Sequence, residues 1–192
     1  MSDFLSSFIS LLQSAINIYI YILLLRFMLQ KLGANYYNAI IQVFVKLTDF
    51  IVKPMRRIIP GFRGYDVAIA TLIIIFQLIA ILVGLLFLTQ DWSKSWALVL
   101  IIIGELGKKI LYIYLAAIII QSIVSWFPSL YKSPASEIVY LLVDPVMRRA
   151  RRIIPPIAGI DLSAIPVLFL IYIIIGVILN PLIVVGFRQL ML

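Results

Sequence analysis

Three long apolar runs constrain the fold of this chain more than any other feature of its sequence. They cover residues 4–29, 66–89 and 162–185. A helix needs about 20 mostly apolar residues to cross the hydrocarbon core of a bilayer, and each run is long enough. A fourth stretch, 97–127, is longer but contains charged residues. Runs such as 72–76 lack the alternation of a transmembrane strand, so the sequence predicts an all-α integral membrane protein with four transmembrane helices.

Composition argues against most soluble and catalytic classes of protein. Hydrophobic residues make up 64% of the chain and charged residues only 12%, too few to cover the surface of a water-soluble domain. The chain has no Cys and no His, which excludes disulfides, thiolate zinc sites and histidine-ligated haem held by this chain alone. It also lacks a glycine-rich phosphate loop. We therefore expect a protein that is not an enzyme and that binds no metal, cofactor or nucleic acid.

The distribution of basic residues predicts the topology. Eleven of the sixteen Lys and Arg residues lie between the first and second or between the third and fourth apolar stretches. Basic connections remain on the cytoplasmic side of a membrane, so we expect both connections in the cytoplasm and both termini outside the cell inner (plasma) membrane. No Lys or Arg precedes Arg26 and no cleavage site follows the first run, so we expect that run to be retained as an anchor.

The chain contains an internal repeat with an offset of 95 residues. The segment 56–60, Arg-Arg-Ile-Ile-Pro, recurs at 151–155, and seven of the eleven positions from 56 to 66 are identical in the second copy. The repeat predicts two hairpin units, 1–95 and 96–192, within one membrane domain. Because each unit crosses the membrane twice, the copies enter with the same orientation. This predicts parallel repeats related by an axis along the membrane normal.

Each basic connection is predicted to contain an amphipathic helix at the membrane interface. On a helix through 36–53, one face is apolar and the opposite face is polar. The apolar face comprises Tyr37, Ile40, Phe44, Leu47 and Ile51, and the polar face comprises Gln42, Lys46, Asp49 and Lys53. The segment 135–148 shows a similar separation. We expect both segments to lie in the plane of the interface or to pack under the bundle.

A basic turn follows each interfacial segment and leads into the next apolar run. Prolines end helices because they lack a backbone donor, glycines permit sharp turns, and aspartates cap helices by accepting backbone N–H groups. The residues concerned are Pro60, Gly64 and Asp66 in the first unit and Pro155, Gly159 and Asp161 in the second. Each unit is therefore predicted to consist of a helix, an amphipathic interfacial segment, a basic turn and a second helix.

The duplicated motif resembles that of the bacterial YggT family, whose relatives also occur in plastids. The family pattern is an acidic residue near a proline, then Pro-x-Arg-Arg-x-Ile-Pro, then Gly and Asp. It appears here as Asp49, Pro54, Arg56, Arg57, Pro60, Gly64 and Asp66, and again as Asp144, Pro145, Arg151, Arg152, Pro155, Gly159 and Asp161, with Arg rather than Pro at position 149. The resemblance covers nearly the whole chain and implies a small, non-enzymatic membrane protein. It connects the chain with osmotic or ionic stress, with membrane and division-related organisation or, through plastid members, with cytochrome b6 haem assembly.

The charged residues of the two basic connections are the first candidate site. They are Arg56, Arg57, Arg151, Arg152, Asp49 and Asp144. The arginines are either orientation signals or binding sites for anionic lipid headgroups and for the acidic surface of a partner. The aspartates either pair with nearby arginines or Lys46, or recognise a partner.

Four further charges lie within or at the ends of the apolar stretches. They are Arg26, Glu105, Lys108 and Lys109. Charges at membrane depth are costly and by default indicate a function. We favour a simpler interpretation in which Glu105 pairs with Lys109 at the outer interface and Arg26 extends toward the inner interface. A gating or ion-sensing role for these charges is the alternative.

These features favour a non-catalytic scaffold or accessory subunit. Its basic cytoplasmic faces would bind anionic membrane lipids and an unidentified membrane or cytoplasmic protein partner. The main alternative is an ion or osmolyte channel formed by a homo-oligomer, with a water-filled passage lined by Glu105, Gln77 or Asn180. A third hypothesis, a cofactor assembly factor like the plastid relatives, is weakened because the chain has no His or Cys to hold iron.

Overall fold

The computed structural model describes residues 2–62, 64–86, 94–154 and 161–191. Over these ranges the chain is helical, and its only strand-like pairing is one isolated bridge between Phe62 and Tyr65. The helices are α1 Ser2–Lys31, α2 Ala39–Ile58, α3 Val67–Gly84, α4 Ala97–Val124, a short 3-10 turn Pro128–Leu130, α5 Pro134–Ile153, α6 Ala164–Ile173, a π-helical segment Ile174–Leu179 and α7 Asn180–Met191. The prediction of an all-α fold is confirmed.

Three helices are long and apolar enough to cross a membrane. They are Phe4–Lys31, Val67–Gly84 and the continuous helix Ala164–Met191. Their outward surfaces carry exposed large apolar side chains such as Phe8, Leu11 and Phe169, which water would not tolerate as a broad patch. The fourth predicted crossing is a 28-residue helix, α4, that contains three charged residues. That α4 crosses the membrane therefore stays a prediction.

Helix boundaries follow the offset of the sequence repeat. The helix α5 begins and ends 95 residues after α2, and α4 begins 95 residues after Ser2, the start of α1. Neighbouring helices correspond as well, because α1 packs along α3 while α4 packs along α6, the π segment and α7. Whether an axis along the membrane normal relates the two halves stays a prediction.

The last helix contains a π-helical segment that the sequence pattern did not indicate. The backbone N–H of Asn180 donates to the carbonyl of Ile175, five residues earlier instead of four. Pro181 follows directly, and a proline ring collides with the carbonyl four residues before it in an ordinary α-helix. A wider turn just before the proline relieves that collision, so the residue pair Asn180–Pro181 accounts for the position of the π segment.

Glycines allow α4 and α7 to approach closely. A Cβ atom added at Gly104 would lie 2.5 Å from Cγ1 of Ile183, and one added at Gly186 would lie 2.5 Å from Cγ1 of Ile101. Each helix thus places an isoleucine against a glycine of the other. Such contacts between small and large residues hold helices together where lipid removes the hydrophobic driving force.

The main hydrophobic core lies toward the end of the bundle where α1 ends and α3 begins. It combines Leu23 of α1 and Ile69 of α3 with Leu142, Val143 and Met147 of α5. The helix α5 is therefore part of the core of the bundle. It contacts α1, α2, α4 and α6.

The face of α2 that packs against the bundle matches the predicted apolar face only in part. Ile40, Phe44 and Ile51 of the predicted face pack against the core, whereas Leu47 is exposed, as is Tyr37 before the helix. The fully buried residues are Ile41, Thr48 and Val52. Val43, Leu47 and Phe50 form an exposed apolar row. The difference arises because Thr48 is buried by a polar contact with α1, which a hydrophobicity pattern does not register.

Candidate functional site

The first basic turn is built from backbone contacts between α2 and α3. The helix α2 ends at Ile58, the N–H of the next residue, Ile59, donates to the carbonyl of Met55, and Pro60 follows. Phe62 and Tyr65 exchange two backbone hydrogen bonds of 3.0 and 2.9 Å across a tight turn. Gly64 has a φ of 81°, a conformation that side chains disfavour. The turn brings the end of α2 beside the start of α3.

Arg56 and Asp66 form an ion pair across this turn. Asp66 is the N-cap of α3, and its Oδ1 accepts the backbone N–H of Ile69 at 3.2 Å. The second oxygen, Oδ2, accepts Nε of Arg56 at 2.9 Å and is also bonded by Nη2. The carboxylate is 4% exposed. One buried aspartate therefore starts α3 and binds the last turn of α2.

The second half repeats this pair. Nε of Arg151 donates to Oδ2 of Asp161 at 2.7 Å, and Oδ1 of Asp161 accepts the backbone N–H of Ser163 at 3.1 Å, directly before α6. Partial burial raises the pKa of Asp161, but hydrogen bonds from Ser163 and Arg151 and the arginine charge outweigh it and leave the pKa lowered. Pro155 and Gly159 lie outside the described residues.

Arg26 is held at the junction of α1 and α2. The side chain is 5% exposed, and Nη2 donates to Oδ1 of Asp49 at 2.8 Å. Nη1 donates to Thr48 Oγ1 and to the carbonyl of Val45. That Arg26 extends toward the inner interface stays a prediction, but the side chain is buried against α2 and paired there. The short distance between α1 and α2 places a carboxylate within reach, so the guanidinium is paired inside the protein.

Asp49 also accepts Nζ of Lys53 at 3.0 Å. Partial burial raises its pKa, but the hydrogen bonds from Lys53 and Arg26 and their charges together lower it below the usual value. The equivalent aspartate, Asp144, pairs with Arg148 four residues later. Gln121, buried in α4, replaces Arg26 in the second half, so only the first half has a buried arginine at this junction.

These residues line a cavity of about 600 Å³ at the first basic turn. Its wall includes Arg26, Gln30, Asp49, Arg56 and Asp66. Within the described part of the chain, Nε of Arg26 and Oε1 of Gln30 are buried and make no hydrogen bond. Five of the motif residues therefore line one polar cavity together with Arg26: Asp49, Arg56, Pro60, Gly64 and Asp66.

Three other arginines face outward. Arg57, Arg149 and Arg152 are exposed, and none of them forms an ion pair with another described residue. Arg149 and Arg152, with Arg148 and Pro145, surround a surface cavity of about 370 Å³. The arginines of the motif thus divide into two groups, because Arg56 and Arg151 bind aspartates while Arg57 and Arg152 point away from them.

The amino-terminal ends of α2 and α5 are joined by a contact that sequence reasoning missed. Asn38 caps α2 by accepting the N–H of Ile40 at 3.0 Å. Its amide nitrogen donates to Glu137 Oε2 at 2.8 Å and to the carbonyl of Pro134 at 2.9 Å. Ser133, 95 residues later, caps α5. The sequence could have indicated the two caps, because Asn and Ser are common N-cap residues and stand 95 residues apart. The contact between Asn38 and α5 could not be predicted, because it depends on how the two helices pack.

The charges of α4 pair with one another. Oε2 of Glu105 lies 3.1 Å from Nζ of Lys109, and Oε1 lies 3.3 Å from Nζ of Lys108. Lys109 is buried. Among the described residues, no group of three or more Asp or Glu side chains is placed to hold a metal ion.

Comparison with known proteins agrees with this organisation. A family model described as CCB3/YggT matches residues 5–87 and 100–182, two segments whose bounds are 95 residues apart. An uncharacterised YggT protein of Escherichia coli K12 is 32% identical over 167 residues, covering 85% of each chain. An uncharacterised protein of Pseudomonas aeruginosa is 32% identical over 167 residues, covering 82% of this chain and 80% of the relative. A Haemophilus influenzae protein is 31% identical over 159 residues, covering 82% and 83%. No solved structure matches.

Proposed function

The chain belongs to the CCB3/YggT family, and from that premise we propose that it is a non-catalytic scaffold or accessory subunit of the inner membrane. It crosses the membrane four times, with both termini outside and both basic turns in the cytoplasm. Its outward-facing arginines bind anionic lipid headgroups and the acidic surface of a protein partner. The family resemblance adds a role in osmotic or ionic stress to this proposal.

The observation that carries the proposal is the division of the motif arginines. Arg56 and Arg151 form ion pairs with Asp66 and Asp161, and these pairs hold the two turns closed. Arg57 and Arg152 occupy equivalent positions, are exposed and make no ion pair with a described residue. An orientation signal requires only positive charge on the cytoplasmic side. It does not require that one arginine of each pair be left exposed and without an ion pair.

The surface of α2 supports the same orientation. Val43, Leu47 and Phe50 leave an exposed apolar row beside the exposed side chains of Gln42 and Lys46. A helix with such a row beside polar and basic residues is suited to lie at the boundary between acyl chains and headgroups. That position brings Arg57, at the end of α2, to the depth of the phosphates.

The lipid test uses a triple variant, Arg57→Gln with Arg149→Gln and Arg152→Gln. Each basic residue near an anionic surface is worth about 1 kcal/mol, or about fivefold in affinity. We expect the variant to lose most of its preference for phosphatidylglycerol over phosphatidylcholine, measured by native mass spectrometry of protein released from mixed nanodiscs. The preference should also fall as salt shortens the screening length below about 10 Å.

Arg188→Gln is the control, because Arg188 is exposed in the last turn of α7, at the other end of the bundle. It should retain the phosphatidylglycerol preference of the unmodified protein. If the triple variant and Arg188→Gln bind both lipids like the unmodified protein, the outward arginines are orientation signals only and the scaffold proposal fails.

A further inference from the structure

A second polar cavity lies at the opposite end of the bundle from the basic turns. It has a volume of about 430 Å³, is partly open, and is lined by residues of α1, α3, α4 and α7. Four polar side chains reach its wall: Gln13, Asn17, Gln77 and Glu105. Ile81, Leu85 and Phe187 supply apolar surface. This volume is within the range of small-molecule sites, which combine apolar walls with a few polar groups.

The polar groups of the wall are fixed by the packing. Gln13 Nε2 donates to the carbonyl of Ala80 at 3.2 Å. Gly84 makes this possible, because a Cβ atom there would lie 2.8 Å from the same nitrogen. The side-chain amide of Gln13 therefore joins α1 to the last turns of α3, and it also borders the cavity.

Gln77 has an unpaired hydrogen-bond acceptor beside the cavity. Its side chain is 2% exposed, and its Oε1 is buried with no hydrogen-bond donor among the described residues. An acceptor buried without a partner costs free energy, so such groups are satisfied by a bound molecule when a cavity adjoins them. A solute that displaces water from this cavity must therefore donate a hydrogen bond in its place.

The charges around the cavity determine the charge of that solute. Glu105 is the charged residue of the wall, and both of its oxygens are within 3.3 Å of Lys108 or Lys109. This group of three has a net charge of one positive unit, which disfavours a cation. An anion would be repelled by the Glu105 carboxylate and by the acceptor oxygen of Gln77. A neutral molecule is repelled neither by the net positive charge nor by these oxygens.

We propose that this cavity is a binding site for a small neutral solute that donates a hydrogen bond from a hydroxyl or amide N–H group to Gln77. The apolar wall accepts the carbon skeleton of the solute, and the amides of Asn17 and Gln13 limit its orientation. The site is independent of the lipid-binding proposal, because it shares no residue with the basic turns.

The test uses the absence of cysteine in the natural chain. Asn17→Cys places a thiol in the cavity wall and leaves Gln77 intact, while Ile18→Cys places one on the adjacent, exposed apolar position of α1. A membrane-impermeant methanethiosulfonate reagent is added to right-side-out vesicles. A thiol surrounded by lipid stays protonated and unreactive, so Asn17→Cys should react at least about tenfold faster than Ile18→Cys.

Glycerol is the probe for the ligand, with raffinose, a polyol several times its size, and sodium chloride as controls. We expect glycerol to slow the labelling of Asn17→Cys in a saturable way, and neither control to do so. In Asn17→Cys combined with Gln77→Met, a change of similar volume without an acceptor, labelling should keep its rate but lose the protection by glycerol.

Three results would overturn the proposal: equal labelling of Asn17→Cys and Ile18→Cys, no protection by glycerol, or equal protection when Gln77 is replaced by Met. Protection by sodium chloride and not by glycerol would assign the cavity to an ion and also contradict it. An unchanged basal labelling rate in the Gln77→Met variant shows that the cavity still forms.

Discussion

At the scale of single residues, the two turn aspartates make the same contact in different surroundings. Asp66 is 4% exposed and Asp161 is 31% exposed, although each accepts an arginine ten residues earlier in the chain. An aspartate before an apolar run is a capping signal, and Asp66 caps α3 as predicted. Asp161 does not cap α6, because the N-cap of that helix is Ser163 and Asp161 accepts the N–H of Ser163 in the turn before it. The sequence did not indicate the arginine pairing, because a turn of unknown geometry separates the two residues of each pair.

This difference predicts unequal effects of Asp66→Asn and Asp161→Asn. Loss of the charged hydrogen bonds at the buried site should cost about 1–3 kcal/mol, whereas the more exposed pair should cost less than about 1 kcal/mol. Unfolding of each purified variant in mixed micelles measures both values. In a double-mutant cycle, Arg56→Gln should add little to Asp66→Asn. Equal losses for the two aspartates, or additive losses at Arg56 and Asp66, would contradict this account.

At the scale of helices, α4 and the last helix depend on glycine for their close approach. In the sequence, Gly104 stands beside the charged residues of the stretch 97–127 and shows no role of its own. In the structure, Gly104 is the place where Ile183 packs. The pattern could not reveal this, because a glycine in a helix lowers helix propensity in isolation and gains its value only from a neighbouring helix.

The variants Gly104→Ala and Gly176→Ala should therefore differ in stability. At Gly104 a new methyl group would collide with Ile183, and overpacking of this kind costs about 1–3 kcal/mol. At Gly176 nothing lies within 4 Å, so alanine should be neutral or slightly stabilising. Unfolding midpoints in mixed micelles provide the comparison. Ile183→Ala should partly rescue Gly104→Ala, and a loss at Gly176→Ala as large as that at Gly104→Ala would refute the packing argument.

At the scale of the whole molecule, length and hydrophobicity allowed the four long helices to be located within a few residues. The repeat also predicted a second interfacial helix in the second half, but the predicted segments 36–53 and 135–148 end five residues before α2 and α5 do, so the arginine pairs lie in the last helical turns. It did not predict the unequal burial of α2 and α5: Leu47 is 47% exposed, while Leu142, at the equivalent position, is 2% exposed. Equivalent sequences do not determine which copy packs into the bundle, since that depends on contacts with other helices: α5 packs against its own α4 and also against α1 of the first half.

The predicted topology can be tested with two single cysteines. Ser95→Cys, just before α4, should react with an impermeant thiol reagent from outside the cell. Ala135→Cys, in the first turn of α5, should react only from the cytoplasm, since the basic connections remain inside. Both positions are exposed, so the accessibility of the thiol depends on the side of the membrane. Labelling of both from the same side would show that α4 does not cross.

The unequal packing of α2 and α5 has an evolutionary consequence. If a single hairpin paired with an identical copy, symmetry would give every position one environment, so Leu47 and Leu142 could not differ. Joining two hairpins in one chain removes that constraint, because each copy can then be selected for its own surroundings. At this position α5 packs inside the bundle. The helix α2 has an exposed surface there, on which selection for contacts with other molecules can act.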